Sequence, residues 1–262
     1  MKQDKSRLPF EVKKIRRRPG QSAGEHWRAI VDKEMDAVVP ALECMTAFLL
    51  VAFYQALGIV VPVWLLVLLI LGAICWIIFK VIKIRRCIRT WQLGENGEQY
   101  VGQMLDKDMR PLGYDVFHDV VIKKGKRQFN LDHVLIGPNG VYVVETKAWR
   151  KPEKGSPEIE YRNGRLYKMG QEIKDDATRE VISLAKAANK LFFELTGRAY
   201  YVKPILVVAG WFCKCGSRRD AQFLLLNEKQ VATWVQKDTP QHVPDPKDLD
   251  LLRVKLEQYE PC

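Results

Sequence analysis

The sequence predicts an α/β domain preceded by a two-helix membrane hairpin. Residues 44–79 contain no Asp, Glu, Lys or Arg and are dominated by apolar side chains, a pattern typical of a membrane segment. After residue 90, stretches with helical apolar spacing alternate with β-rich stretches, the pattern of an α/β domain.

The apolar run is too long for one straight crossing, because it would form a helix of about 54 Å against a hydrocarbon core of about 30 Å. Gly58 and Pro62 lie near its middle and are expected to break it into arms over residues 41–57 and 63–79. Each arm is at the lower limit of length for spanning, so a re-entrant hairpin is the alternative.

Basic residues flank the apolar run on both sides. Eight Lys or Arg residues lie within residues 1–20 and five within residues 80–90, where there is no acid. By the positive-inside rule both termini are expected in the cytoplasm, with the hairpin in a bacterial cytoplasmic membrane and its lipid bilayer as a partner. The predicted organisation is a basic tail (1–40), the hairpin (41–79), a basic juxtamembrane segment (80–90), an α/β domain (91–236) and a tail with a short helix (237–262).

The six cysteines are scattered and predict no disulfide framework. Cys213 and Cys215 leave a zinc site open, although no second pair lies nearby in sequence. A cleaved secretory signal is not expected, because some forty mostly polar residues precede the apolar run.

Periodicity predicts the elements of the α/β domain. The Asn163-Gly164 pair is typical of a tight hairpin turn, and the stretch around Val181 and Leu184 has a helical apolar stripe. The predicted elements are a helix over 94–108, strands over 115–122, 130–136 and 141–147, a hairpin over 159–168, a helix over 178–195, strands over 204–209 and 222–226, and helices over 228–236 and 244–258.

The hairpin formed by the second and third strands carries the candidate chemistry. If Ile136 pairs with Val141, the register places Asp132 opposite Glu145, and Asn130 opposite Lys147. Two opposed carboxylates repel each other unless a cation or proton intervenes, and a divalent metal would relieve that repulsion. Lys147 shares a face with Glu145, where it could orient a water molecule or stabilise transition-state charge. The alternative is an exposed salt bridge on an ordinary surface hairpin.

The stretch from Leu131 to Trp149, with Asp132 followed by Glu145-Thr146-Lys147, resembles the core of the nuclease-related domain (NERD) family, a branch of the PD-(D/E)xK nucleases. Gly94-Glu95-Asn96-Gly97-Glu98 is similar to the G-x-x-G-E motif at the start of that family's first helix. The resemblance continues to about Val235.

The resemblance implies a restriction-endonuclease-like three-layer fold with a mixed central sheet, and magnesium-dependent DNA cleavage of bacterial type, with manganese as an alternative ion. It implies metal ligands at Asp132, Glu145 and the Thr146 carbonyl, with Lys147 as the catalytic lysine. Glu98 matches the first-helix glutamate that can complete the site, and Glu95 is the alternative one turn earlier.

One position departs from the family pattern, because Arg179 stands where N-P-x-x-Q has its glutamine. Arg179 either replaces that glutamine as a phosphate contact or alters activity. A basic turn precedes the Asp132 strand and is interpreted either as a DNA-backbone contact or as a solvated turn; its residues are Lys123, Lys124, Lys126 and Arg127. Trp149 either stacks on a base or packs in the core, whereas His133 is interpreted as structural.

Three functions follow from these observations. The first is a membrane-anchored, metal-dependent nuclease acting on DNA at the cytoplasmic face. The second is a catalytically silent nucleic-acid-binding or sensing module, and the third is a membrane scaffold whose hairpin oligomerises. The intact Asp, Glu-x-Lys residues favour the first, and Arg179 favours the second.

Overall fold

The computed structural model describes residues 18–58, 63–124, 127–174, 176–215, 222–238 and 245–260. The chain divides into two compact units, a helical unit over Gln21–Asn96 and a second unit that includes Gly97–Cys262. The helices are α1 (Gln21–Ala56), α2 (Val63–Met109), α3 (Ala177–Thr196), α4 (Val231–Lys237) and α5 (Pro246–Gln258). The strands are β1 (Asp115–Lys124), β2 (Arg127–Gly137), β3 (Gly140–Lys147), β4 (Glu158–Arg162), β5 (Arg165–Lys168), β6 (Gln171–Glu172), β7 (Val202–Val208), β8 (Phe212–Cys215) and β9 (Leu224–Leu226).

The predicted membrane hairpin is wrong. Within the part of the chain that the structure describes, no helix combines the length and the apolar character needed to cross a bilayer. The predicted arms are portions of longer elements, since α1 begins twenty residues before the first arm and α2 continues thirty residues beyond the second. Charged residues such as Asp32 and Lys83 therefore belong to the same helices as the apolar stretches. The predicted multi-pass membrane localisation depended on the hairpin and is contradicted with it.

The second unit is a mixed α/β domain, as the alternation of helical and β-rich segments predicts. Its five-stranded sheet has the order β1-β2-β3-β7-β9, in which the β1–β2 and β2–β3 pairs are antiparallel and the β3–β7 and β7–β9 pairs are parallel. A smaller four-stranded sheet has the order β6-β5-β4-β8.

Helices cover both faces of the five-stranded sheet. On one face, α3 and α5 bury side chains such as Phe192 and Leu252 against Val134 and Val143. On the other face, the C-terminal part of α2 and the short α4 pack against residues such as Tyr142. Strand β3 is buried on both sides, which explains its nearly continuous apolar sequence.

The smaller sheet is joined to the larger one by a third apolar cluster around the fully buried Trp211. Its β4–β5 hairpin has the predicted register, with Arg162 paired to Arg165. Asn163 and Gly164 both have positive φ, as a two-residue type I′ turn requires. The prediction of this hairpin is confirmed, whereas β6 and β8 were not predicted.

Candidate active site

The site lies where β2 separates from β3. The register predicted for this pair is confirmed from Gly137–Gly140 to His133–Val144, where the ladder ends. Asp132 and Glu145 are therefore one step beyond the last backbone pair. The predicted pairing of Asn130 with Lys147 is absent from the described ladder, and the Asn130 amide instead donates a hydrogen bond to Asp119 at 2.9 Å.

Asp132 occupies the gap that the end of the ladder leaves. Its Oδ2 accepts a hydrogen bond of 2.8 Å from the backbone N–H of Thr146, so a side-chain oxygen takes the place of the next backbone hydrogen bond of the ladder. In an extended strand the N–H and C=O of one residue point to the same edge. The Thr146 carbonyl therefore points toward the Asp132 side, while the neighbouring Lys147 carbonyl accepts from Ala209 on the opposite edge.

Two buried carboxyl groups meet here. Asp132 and Glu145 are each 6% exposed. Burial, followed by the charges of Glu145 and Glu98, raises the pKa of Asp132 well above its ordinary value, and the Thr146 hydrogen bond opposes this rise only in part. Burial also raises the pKa of Glu145, against the effects of Lys147 and of a hydrogen bond with Asp132. The pair is electrostatically strained unless a proton or a cation is shared between them.

Lys147 supplies a positive charge beside this pair. Its Nζ lies 3.0 Å from Glu145 Oε1 and 2.6 Å from Glu180 Oε2. Burial lowers the pKa of Lys147, but the two carboxylates outweigh burial and the net pKa lies above the ordinary value. The two neighbouring carboxylates therefore favour the charged form of Lys147, which is suited to stabilising negative charge.

Glu98, on α2, interacts electrostatically with the site, because its charge contributes to the raised pKa of Asp132. The helix comes very close to the end of β3 at this point. A Cβ at Gly97 would lie 2.5 Å from the Cβ of Ala148, so only glycine allows this approach.

Arg179 lies in the first turn of α3. Its side chain is 84% exposed and pairs with Asp176 in the first turn of α3. The next residue of α3, Glu180, contacts Lys147. Glu180 does not belong to the Asp, Glu-x-Lys motif or to the N-P-x-x-Q motif. Glu180 lies 33 positions from Lys147 in sequence, so only the packing of α3 on the sheet brings the two together.

Lys124 and Arg127, two of the residues of the predicted basic turn, form the last backbone pair of the β1–β2 ladder. Lys123 is exposed, and Lys126 lies outside the described residues. The β1–β2 ladder continues past the end of the β2–β3 ladder, so the hairpin extends beyond β3 at the end where the site lies.

The aromatic and histidine residues near the site are structural in this arrangement. The ring of Trp149 packs edge-on against Trp211, and its carbonyl accepts from the Trp211 indole at 3.1 Å. His133 is fully buried, and its Nδ1 lies 2.9 Å from Nδ1 of His118.

Cys213, one of the two cysteines of the zinc alternative, is buried, and burial raises the pKa of its thiol to about 12. Across the described residues, no group of three or more His, Cys, Asp or Glu side chains is arranged to hold a metal. At the candidate site, the carboxyl groups of Asp132 and Glu145 lie together, and the charge of Glu98 also acts on Asp132.

Together, the fold and the site define a mixed α/β domain with a buried acidic pair and a lysine at the end of its central strands. Residues 93–209 match the model of the nuclease-related domain family, NERD. This part of the chain is therefore similar to a nuclease-related domain, and the similarity suggests a nuclease-like function. No curated protein matches the chain.

Proposed function

We propose that the domain hydrolyses phosphodiester bonds of DNA in a reaction that depends on a divalent metal ion. The observation that carries the proposal is the buried Asp132–Glu145 pair with the Lys147 ammonium 3.0 Å from Glu145. Two carboxylates buried together are costly in an inert surface hairpin, and the domain match adds a nuclease-like context.

The donor set fits magnesium. This ion takes oxygen ligands, uses only one or two protein carboxylates and retains several waters. Asp132 and Glu145 supply the carboxylates, and the Thr146 carbonyl points to the same strand edge as the N–H that binds Asp132. Manganese accepts the same oxygen ligands. When bound, the ion would activate a water molecule and polarise a phosphoryl oxygen.

The protein groups have separable tasks in this proposal. Asp132 and Glu145 hold the ion, and Glu98 adds negative charge from α2. Lys147, whose ammonium lies 3.0 Å from Glu145, stabilises the negative charge that develops on the phosphate.

DNA is the proposed substrate because the exposed Lys123 lies on a basic hairpin that extends beyond β3 at the site end of the sheet. Contacts from such residues would go to phosphates and would carry no sequence information. Binding should therefore weaken steeply with salt.

The test is cleavage of end-labelled double-stranded DNA, single-stranded DNA and RNA by the purified full-length chain, with magnesium or with EDTA. We expect magnesium-dependent products from DNA and none in EDTA. Glu145→Gln, of nearly the same size, should cleave at less than about one hundredth of the wild-type rate. Equal cleavage by the two proteins would contradict the assigned site.

A catalytically silent nucleic-acid-binding module is the second candidate. It is favoured by Arg179, which departs from the family motif and whose exposed side chain pairs with Asp176. Salt-sensitive DNA binding by the wild type without any cleavage would select this alternative.

A further inference from the structure

Glu180 contacts the candidate lysine from outside the Asp, Glu-x-Lys motif. Its Oε2 accepts a hydrogen bond of 2.6 Å from Lys147 Nζ, shorter than the 3.0 Å contact between Lys147 and Glu145. The ammonium therefore lies between two carboxylates, one on its own strand and one on α3.

The first turns of α3 hold Glu180 in this position. Ala177 and Val181, on either side of it in sequence, are fully buried in the apolar cluster around Trp211. The backbone N–H of Glu180 also donates to the Asp176 carbonyl at 2.8 Å. The helix is thus fixed against the sheet. The Glu180 side chain remains 47% exposed while its carboxylate contacts Lys147.

A lysine needs such a partner to occupy one position. Its ammonium is carried on a flexible chain of four carbons, and fixing it costs side-chain entropy. With Glu145 alone, the ammonium could take several positions around one carboxylate. A second carboxylate from a separate element restricts it to the line between the two.

We propose that Glu180 is a positioning residue that holds the Lys147 ammonium where phosphate charge develops. The inference rests on the proposed function and concerns the same site. It predicts that loss of the Glu180 charge impairs the chemical step more than substrate binding, because Glu180 acts through Lys147.

The experiment is steady-state DNA cleavage by full-length Glu180→Gln, with Glu180→Asp as the conservative variant. Glu194→Gln is the matched control, because Glu194 lies on the same helix and its ion pair among the described residues is an exposed 3.6 Å contact with Lys190. We expect kcat of Glu180→Gln to fall about tenfold or more while KM changes less than about twofold. Glu180→Asp should recover part of kcat, and Glu194→Gln should match the wild type.

Thermal unfolding of the same proteins separates folding from positioning. The Glu180→Gln substitution should change Tm more in the wild-type background than in Lys147→Met, because Glu180 has lost its Lys147 partner in the latter protein. Unchanged kcat in Glu180→Gln, with an active wild type, would overturn this inference alone. A wild type that does not cleave would overturn the proposed function and this inference together.

Discussion

The backbone N–H of Thr146 donates to Asp132 Oδ2 at 2.8 Å, at the point where the β2–β3 ladder ends. This hydrogen bond connects the separating strands and places the Asp132 carboxyl beside Glu145. The site is therefore built from a break in a sheet, and its two carboxyl groups are held together by backbone geometry.

Stability without metal should depend on pH through Asp132. Its folded pKa is raised, so ionisation costs more in the folded than in the unfolded state. This destabilisation by the ionised Asp132 is absent below the ordinary carboxyl pKa, near 4. The free energy of unfolding falls as the pH rises from there toward the pKa of Asp132 in the folded state. In EDTA, Asp132→Asn should therefore have a higher Tm than the wild type at pH 8, and the two values should converge near pH 3.

Thermal unfolding across that pH range measures the difference in unfolding free energy between the wild type and Asp132→Asn. This difference should be on the order of 1 kcal/mol for each unit by which the pKa of Asp132 is raised. Glu194→Gln, an exposed carboxylate on α3, is the control and should follow the wild type at every pH. A lower Tm for Asp132→Asn at pH 8 would contradict the electrostatic account.

Magnesium should stabilise the folded wild-type protein. Binding to the folded state alone adds RT ln(1 + [L]/Kd), about 1.4 kcal/mol when free metal is roughly ten times Kd. Asp132→Asn and Glu145→Gln should lose most of this gain, whereas Lys147→Met should keep it while losing activity. Sodium chloride at equal ionic strength serves as the control, and the same magnesium shift in Glu145→Gln would exclude metal binding by this pair.

The approach of α2 to β3 should be needed for activity. Gly97→Ala would place a Cβ 2.5 Å from the Ala148 Cβ and force the helix away from the site, at a cost of about 1–3 kcal/mol. Gly94→Ala is the matched control, because a Cβ there meets nothing within 4 Å and alanine favours a helix by up to about 1 kcal/mol. Gly97→Ala should lower both Tm and cleavage rate. An active, fully stable Gly97→Ala would show that the close approach is dispensable.

Features encoded by neighbouring residues could be predicted from the sequence. The β4–β5 hairpin follows from Asn163-Gly164, and the β2–β3 register follows from the turn between Ile136 and Val141. The convergence of Asp132 and Glu145 follows from that register. The register alone does not predict where the β2–β3 ladder ends. The ladder ends because the Asp132 side chain replaces a backbone acceptor for the Thr146 N–H.

Features that depend on distant packing were missed or wrong. Nothing in the sequence near Glu180 shows that it reaches Lys147, since α3 must first dock on the sheet. Strand β8 has four residues and pairs with β4, which lies more than fifty positions earlier. The membrane hairpin was predicted from the apolar run, its break at Gly58 and Pro62 and its basic flanks. In the structure, α1 begins well before the run and α2 continues well beyond it, into sequence that contains charged residues.

Metal-dependent cleavage at the Asp132–Glu145 pair is tested by the rate at which the full-length chain converts supercoiled plasmid to nicked or linear DNA as magnesium is titrated. We expect wild-type cleavage to rise from zero with magnesium and to saturate. Glu145→Gln should remain inactive at every magnesium concentration while unfolding at a Tm near that of the wild type. Cleavage in EDTA, or a magnesium-dependent rate in Glu145→Gln equal to that of the wild type, would contradict metal-dependent cleavage at this pair.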